Sequence, residues 1–265
     1  MMFHMRTFKR SNYGNQNPPN EPIKYTVHHN SITEEESIKT MKKPSADNQN
    51  PSNDYEPLRY SVHDNFITEE ECNEMINLAK KSGLKIAKIK GHNNGINVID
   101  KSSRTNTQTW VNHDATEQTM KIVDRIAKLV NIPATHAEKI QFAHYDCEQF
   151  YNPHYDGWMV SENPEERDEQ QKIKKATCMD GQGGQRLTTA LVYLNSVEEG
   201  GATYFPKLDK SIYPEPGKVL IFWNVYEGTN TIHPDSLHGA QPVKKGEKWI
   251  FNLWFRAEDI RSIDI

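Results

Sequence analysis

Three His-x-Asp pairs are the residues of this 265-residue chain whose types and spacing could hold a metal ion. The pairs are His144/Asp146, His154/Asp156 and His233/Asp235. In a β-strand, residues i and i+2 point to the same side, so either of the first two pairs could chelate one ion. The motif alone does not select one pair, because a chain with 11 histidines contains such pairs by chance.

The sequence around each pair separates them. His154 and Asp156 stand between Asn152-Pro153 and Gly157, which indicates a strand that ends in a loop, a common position for metal ligands. The pair at 144 and 146 shares a strand face with Phe142, which we expect in the core. The pair at 233 and 235 flanks a proline in a turn-like segment, TNTIHPDSLHG.

A third ligand must come from another strand, and His238 in SLHGAQP is the best candidate because of the segment that follows it. Two histidines and one carboxylate on one side of an iron ion leave three open positions, which is the arrangement of non-haem iron oxygenases.

The segment KWIFNLWFR (248–256) alternates as a strand with two different faces. One face is apolar throughout and is predicted to pack against helices. The other carries Lys248, Asn252, Trp254 and Arg256. A cation on the inward face of a barrel-like sheet is costly without an anionic partner. That partner is either a protein carboxylate or a dicarboxylate ligand whose other end chelates the metal.

The order of the elements predicts an α+β domain. Thr68 followed by Glu71 predicts a helix N-cap with a capping box, for a helix that stops near Gly83. A second helix is predicted from about Ala115 to Val130. Four β-rich runs follow: KIQFAHYD, RLTTALVYL, KVLIFWNV and KWIFNLWFR. Residues 159–182 are charged, have no strand pattern, and are predicted to be a surface loop or lid.

The N-terminal fifth differs in composition. Residues 11–54 are rich in Asn, Pro, Ser, Lys and Glu, so we expect residues 1–54 to be a disordered low-complexity extension. A partial repeat lies there: residues 21–37 reappear as residues 56–72. The second copy has Phe66 and Cys72 where the first has serines, and is therefore predicted to be the folded one. We interpret the repeat as a partial duplication that was never completed, and a duplicated binding element is the alternative.

The composition of the chain argues against several classes of protein. The net charge of −4 and pI near 6.3 show no basic footprint for nucleic acid. No apolar run predicts a membrane span or a signal peptide. Three cysteines without CxxC spacing do not predict a disulfide framework, so a reducing, cytoplasmic location is expected. The oligomeric state is left open.

From about Tyr60 to Arg256 the chain resembles the catalytic domain of prolyl 4-hydroxylases of the collagen type, which are iron(II)- and 2-oxoglutarate-dependent dioxygenases. The stretches that carry the resemblance are DNFITEEEC, EKIQFAHYDCEQFYNPHYD, GGQRLTTALVYLNSVEEGGATYFP and SLHGAQPVKKGEKWIFNLWFR. The resemblance implies a double-stranded β-helix, or jelly roll, flanked by N-terminal helices. It also implies that residues 55–265 form the catalytic domain, with the dioxygenase core at about 136–256.

The resemblance also implies which residues form the site. Iron(II) falls on His154, Asp156 and His238. The distal carboxylate of 2-oxoglutarate falls on Lys248, with help from Tyr145 and Thr203. The residues implied to line a peptide groove are Arg104, Glu138, Tyr151, Arg186 and Trp254. The alternative for the groove residues is structural: core aromatics at 151 and 254, and surface charges at 138 and 186.

The implied activity is hydroxylation of peptidyl proline to 4-hydroxyproline, with O2 consumed, succinate and CO2 released, and L-ascorbate as a supporting reductant. The substrate side departs from the family where Asn106 replaces the serine of an Arg-x-Ser pattern and Arg256 stands in place of a histidine. Two alternatives remain: a dioxygenase of the same class acting on another peptide residue or a small molecule, and a non-catalytic peptide-binding module.

Overall fold

The computed structural model describes residues 56–90 and 97–260. The expectation for residues 1–54 falls outside these residues. Every strand pair in the described part is antiparallel. None of the helices in this part is long and apolar enough to cross a bilayer.

A seven-stranded sheet forms the larger layer. Its strands in spatial order are β1 (Tyr60–His63), β12 (Val219–Trp223), β8 (Arg186–Tyr193), β15 (Lys248–Arg256), β6 (Ile140–Tyr145), β5 (Thr107–Val111) and β2 (Lys85–Ile86). The four β-rich runs of the sequence are the four neighbouring strands β12, β8, β15 and β6 at its centre. Neighbours that are distant in sequence give the crossing connections of a jelly roll.

A four-stranded sheet forms the smaller layer, and two short ribbons complete the strands. The smaller sheet has the order β11 (Lys210–Ile212), β10 (Thr203–Phe205), β13 (His238–Ala240) and β7 (Tyr151–His154). The ribbons pair β14 (Val243–Lys245) with β9 (Glu199–Gly200), and β3 (Ile89–Lys90) with β4 (Asn97–Val98). Apolar side chains from both layers, such as Tyr193, Phe222 and Phe205, pack into one core cluster.

Two helices lie before the central strands. Helix α1 (Glu69–Lys81) begins at Thr68, whose hydroxyl accepts a hydrogen bond from the Glu71 amide while the Glu71 carboxylate accepts one from the Thr68 amide. This is the predicted capping box. Helix α2 (Glu117–Val130) begins after Thr116, two residues later than predicted.

The two faces of β15 have the environments that its alternation predicts. On the outer face, Phe251 and Phe255 are fully buried, and the Lys80 ammonium of α1 lies 5.1 Å from the ring centre of Trp249. On the inner face, Lys248 is 0% exposed and Arg256 is 7% exposed. The strand therefore separates a core packed against α1 from an inner face that carries two buried cations.

The segment predicted to be a loop or lid, residues 159–182, contains helical structure. Helix α3 (Glu169–Lys174) begins at Asp168, whose carboxylate accepts a hydrogen bond from the Gln171 amide, and a wider helical turn follows at Lys175–Met179. Only Cys178 is buried in these two elements. The prediction of a segment without strands is therefore correct, but the sequence analysis missed its helix because the helix has no apolar stripe of its own.

Candidate functional site

Two facing strands of the smaller sheet bring the predicted metal ligands together. His154 at the end of β7 is the direct cross-strand partner of His238 at the start of β13. Cross-strand neighbours have Cβ atoms about 4.5–5.5 Å apart, which brings both imidazoles to one side of the sheet. Asp156 follows two residues after His154, where the chain leaves the strand.

The three side chains converge on one point. The Nε2 atoms of His154 and His238 each lie 3.5 Å from a different carboxylate oxygen of Asp156. One ligand atom from each of the three residues lies within 4.8 Å of the others. Metal–ligand bonds of about 2.0–2.2 Å place the ligand atoms of one ion about 3 Å apart, so this set has the dimensions of a metal site.

Hydrogen bonds fix the orientation of each ligand. Nδ1 of His154 lies 2.9 Å from the Asn152 carbonyl oxygen, and Nδ1 of His238 lies 2.9 Å from the Ser236 carbonyl oxygen. A carbonyl oxygen can only accept, so Nδ1 of each ring carries the proton and Nε2 keeps a lone pair for a metal.

Two supporting residues were not found by the sequence analysis. The Thr189 hydroxyl donates to the second carboxylate oxygen of Asp156 at 2.8 Å, and the Asn224 amide donates to that hydroxyl at 3.0 Å. Both residues are fully buried. The available signal was a polar residue within each of two buried β-rich runs, where a buried polar group requires a partner.

The protonation states suit a metal site. Burial alone would raise the pKa of Asp156, but His238, His154 and Arg186 outweigh it and hold that pKa well below its usual range. Burial lowers the pKa of His238 to about 4. At neutral pH the carboxylate is therefore ionised and this imidazole is neutral, and these are the forms that bind a metal.

Lys248 lies on the inner face without a partner. Its ammonium nitrogen is buried and has no hydrogen-bond acceptor among the described residues. The rings of Tyr145 and Tyr193 lie beside it, with centres 5.4 and 5.7 Å from the ammonium nitrogen. Burial lowers the pKa of Lys248 to about 7. The sequence allowed a protein carboxylate or a dicarboxylate ligand as the partner of Lys248, and no carboxylate of the described residues pairs with it.

Polar groups surround this lysine. Tyr145 is its direct partner across the strands, and Thr203 accepts a hydrogen bond of 2.7 Å from the Tyr193 hydroxyl. Burial raises the pKa of Tyr145 to about 12, so its phenol stays protonated and able to donate. The sequence placed Tyr145 and Thr203 here, but it did not identify Tyr193.

The residues predicted to line a peptide groove form two clusters. In one, Glu138 accepts two hydrogen bonds of 2.7 Å from Arg186 and one of 2.5 Å from Arg256. The Arg186 guanidinium lies 3.9 Å from the ring centre of Trp254. Burial alone would raise the pKa of Glu138, but the two guanidinium groups hold it below its usual range. These charges are mostly buried, unlike the surface charges of the structural alternative.

The second cluster joins Arg104 to Tyr151. The Arg104 guanidinium lies 4.4 Å from the Tyr151 ring centre, and that ring stacks on the His154 imidazole at 3.6 Å. Arg104 is 6% exposed and donates a 2.6 Å hydrogen bond to Asn106. This arrangement brings a buried cation beside His154, and that cation has no carboxylate partner among the described residues.

The other two His-x-Asp pairs are separate from this centre. The His233 ring is buried and hydrogen-bonds to the Glu56 carbonyl oxygen and the Asp235 amide, so both of its nitrogens are in use. His144 lies 2.7 Å from the Glu247 carboxylate and stacks on Trp249. His144, Asp146 and Glu247 form a second cluster with metal-like spacing, in which both carboxylates are exposed.

One cleft of about 1710 Å³ connects these groups. It is lined by the two histidines and the aspartate, by Lys248 with Tyr145 and Thr203, and by the groove residues. Met159, Ile173 and Cys178, from the segment predicted to be a loop or lid (159–182), line it as well. A metal, a small anion and an extended substrate could therefore meet in one space.

Comparisons with known proteins agree with this geometry. The sequence profile of the 2OG-Fe(II) oxygenase superfamily matches residues 140–256. The chain is 36% identical over 157 residues to a putative prolyl 4-hydroxylase of Acanthamoeba polyphaga mimivirus, covering 59% of this chain and 60% of that protein. It is 32% identical over 207 residues to probable prolyl 4-hydroxylase 8 of Arabidopsis thaliana, covering 71% and 65%. The chain thus spans 60–65% of the length of these two curated relatives.

A solved structure extends the match over nearly the whole of a relative. The viral collagen prolyl hydroxylase of Paramecium Bursaria Chlorella virus-1, determined as a 2OG complex, aligns with a TM-score of 0.57 and 32% identity. The alignment covers 75% of this chain and 96% of that chain. The chain therefore belongs to the prolyl 4-hydroxylase family of the iron(II)- and 2-oxoglutarate-dependent oxygenases.

Proposed function

We propose that this protein is an iron(II)- and 2-oxoglutarate-dependent dioxygenase that hydroxylates proline residues in peptides to 4-hydroxyproline. The observation that carries the proposal is the buried, unpartnered ammonium of Lys248 in the same cleft as a two-histidine, one-carboxylate cluster. A peptide-binding module that had lost catalysis would need neither feature.

The donor set fits iron(II). His154, Asp156 and His238 would hold the ion through two imidazole nitrogens and one carboxylate oxygen, the set typical of non-haem iron oxygenases. When bound, the iron with 2-oxoglutarate supplies the oxidative chemistry that inserts one oxygen atom of O2 into a C–H bond, releasing succinate and CO2. The protein's own part is to bind, orient and exclude water.

Lys248 fits the distal carboxylate of 2-oxoglutarate. A buried ammonium is unfavourable alone, so it provides a strong site for one anion. The hydroxyls of Tyr145 and Thr203 would add hydrogen bonds to that carboxylate. The 2-oxo acid end of the ligand then reaches toward the histidines, because Lys248 and the three metal ligands line the same cleft.

The groove clusters would position the peptide. Arg186 lies over the Trp254 ring and is hydrogen-bonded to Glu138, and it also donates to the carbonyl oxygen of Asp156 at 3.2 Å. Tyr151 and Arg104 flank the cluster on the His154 side. Rigid aromatic and guanidinium groups can hold a proline ring and its neighbouring carbonyls in a fixed orientation.

We also propose that residues 55–265 are the catalytic unit and that residues 1–54 are not needed for catalysis. All the proposed site residues lie between Arg104 and Arg256, and the strands that position them begin at Tyr60. The two helices α1 and α2 belong to this unit as flanking elements of the jelly roll.

The first prediction concerns the reaction. Incubation of the protein with iron(II), 2-oxoglutarate, ascorbate and a proline-rich peptide is expected to give a product about 16 Da heavier, with one succinate per hydroxylation, as one oxygen atom is added. Mass spectrometry with fragmentation locates the oxygen on proline. A chain that begins at Asp54 is expected to give the same yield.

Three results would contradict parts of this account. An oxygen placed on another residue, or oxidation of small molecules alone, would assign the protein to a different substrate within the same class. Absence of succinate with every substrate would favour the peptide-binding module. A folded but inactive short chain would show that residues 1–54 contribute to catalysis.

The second prediction concerns the metal. Alanine at His154, Asp156 or His238 is expected to weaken iron(II) binding by at least about a hundredfold, because changes even to the groups behind the ligands cost ten- to a hundredfold. His144→Ala is the matched control and is expected to bind iron normally. Anaerobic equilibrium dialysis followed by metal analysis measures this, and full iron occupancy of His154→Ala would refute the assignment.

The third prediction concerns 2-oxoglutarate. Lys248→Ala is expected to weaken its binding by roughly two to three and a half orders of magnitude, since removing one partner of a buried charge pair costs about 3–5 kcal/mol. Lys248→Arg is expected to recover only part of the lost affinity, because a planar guanidinium does not fit a site shaped for a point donor. Titration with manganese(II) in place of iron gives the affinities without turnover.

The pH dependence of 2-oxoglutarate affinity shows whether the positive charge of Lys248 is what binds the ligand. Burial lowers the pKa of Lys248 to about 7 in the absence of a ligand, and only the protonated form attracts a carboxylate. Wild-type affinity is therefore expected to be constant below about pH 7 and to fall about tenfold per pH unit above it. Lys248→Arg stays charged and should show no such fall. If Lys248→Ala bound 2-oxoglutarate with unchanged affinity, Arg256 would become the next candidate to hold its distal carboxylate.

A further inference from the structure

The cleft carries a charge opposite to that of the chain. The whole chain has a net charge of −4, yet basic side chains outnumber acidic ones eight to three along the cleft. Of the three carboxylates, Asp156 belongs to the proposed metal site and Glu138 is shared by Arg186 and Arg256. Even with Lys248 assigned to 2-oxoglutarate, the cleft keeps an excess of positive charge.

Three of these cations are exposed lysines. Lys85, Lys88 and Lys174 all line the cleft, and none forms an ion pair with another residue in the part of the chain that the structure covers. Their side chains are able to contact a ligand because no carboxylate of the described residues holds them.

The register of the large sheet places Lys85 on the cleft side. Lys85 is opposite Gln108, which is opposite Ala143, which in turn is opposite Ile250. Directly opposed residues share a face, and Ile250 shares its face with Lys248 two positions away. Lys85 therefore extends the inner face that carries the proposed co-substrate site out to the edge strand β2.

Lys174 brings positive charge from the lid. The lid also contains acidic residues, but the neighbouring lysines use two of them: Lys172 pairs with Glu169, and Lys175 pairs with Asp180. Lys174, at the end of α3, is left without one. Unpaired cations thus come from two separate segments of the cleft, the β2 side and the lid.

We infer that the cleft selects proline-containing peptides with acidic residues beside the target proline. The inference rests on the proposed function and adds a substrate class to it. Clefts lined by one sign of charge concentrate ligands of the opposite sign. Lys85 with Lys88 would meet carboxylates on one side of the bound peptide, and Lys174 would meet them on the lid side. Each contact is partly exposed, so the preference is expected to weaken with salt.

A peptide fits the cleft better than a nucleic acid. The exposed apolar side chains of Trp110, Met159 and Ile173 line it together with the lysines. Apolar contacts of this kind suit the side chains of an acidic peptide, whereas nucleic acid binding draws on a longer track of cations along the phosphates. The acidic net charge of the chain also opposes a long polyanion.

The test uses three labelled peptides of equal length with one central proline, whose flanking positions are all Glu, all Gln or all Lys. Fluorescence anisotropy on the full chain, with manganese(II) and 2-oxoglutarate present, gives the Kd of each, and hydroxylation with iron(II) gives kcat/KM. The Glu peptide is expected to bind about tenfold more tightly than the Gln peptide at low salt, with the Lys peptide weakest. The difference should shrink at about 0.3 M salt.

Charge-neutral variants assign the preference to residues. Lys85→Gln with Lys88→Gln is expected to lower the tenfold Glu-to-Gln affinity ratio by about threefold, and Lys174→Gln to lower it further. The matched control, Lys244→Gln with Lys245→Gln, removes the same charge from β14, outside the cleft, and should leave the ratio unchanged.

The outcomes separate this inference from the proposed function. Hydroxylation of all three peptides with no preference for Glu would overturn the inference and keep the function. Tight binding of the Glu peptide without hydroxylation of any peptide would support the acidic preference and reject the function. A competition with oligothymidylate of the same net charge as the Glu peptide decides the class of ligand. If the oligonucleotide displaces the peptide at a concentration below that of the peptide, the inference is overturned in favour of a nucleic acid.

Discussion

The site is organised around one buried ammonium, for which the described part of the protein provides no anion. Lys248 is fully buried and has no hydrogen-bond acceptor there. A protein gains nothing in stability from such a group, since an isolated buried charge costs several kcal/mol. Its position becomes intelligible when the anion is a ligand, and the rest of the site is arranged around the space that this ligand would fill.

The two sheets give that space its two ends. The large sheet supplies Lys248 and Tyr145 as cross-strand partners, and the small sheet supplies His154 and His238 as another such pair. Strand register alone sets both pairs, so a slip of one residue in either sheet would turn one end of the site away from the cleft. The apolar core between the sheets, with Phe205 against Phe222, holds the two registers relative to each other.

Much of this could be predicted from the chain, because strand alternation is a local property. The pattern of residues 248–256 separated a packed face from a face with cations, and the loop position of His154 and Asp156 distinguished that pair from the other two. The resemblance to known hydroxylases then connected Lys248 with His238, which lie on different sheets. Sequence order alone made His238 only a candidate ligand, since it contains no information on which sheets face each other.

Other features could not be predicted because they depend on partners distant in sequence. The hydrogen bond from Thr189 to Asp156 links residues 33 positions apart, and the pair Arg256–Glu138 links residues 118 positions apart. For Glu138, an ordinary surface charge was the alternative that the sequence allowed. Helix α3 was missed for a different reason: it is short and exposed, so no apolar periodicity marks it.

The stability of the ligand-free protein tests the central claim most directly. Lys248→Met keeps the length of the side chain and removes the charge. If the ammonium is held for a ligand, the variant should be more stable than the wild type. Its free energy of unfolding, measured by chemical denaturation at pH 7 without 2-oxoglutarate, should be higher by at least about 1 kcal/mol. This difference in stability should become smaller as the pH rises above 7, because Lys248 of the folded wild type then loses its proton. Added 2-oxoglutarate should stabilise the wild type and leave the variant unchanged. A variant that is less stable than the wild type, yet is still stabilised by 2-oxoglutarate, would show that Lys248 has a structural partner and is not the anchor of the co-substrate.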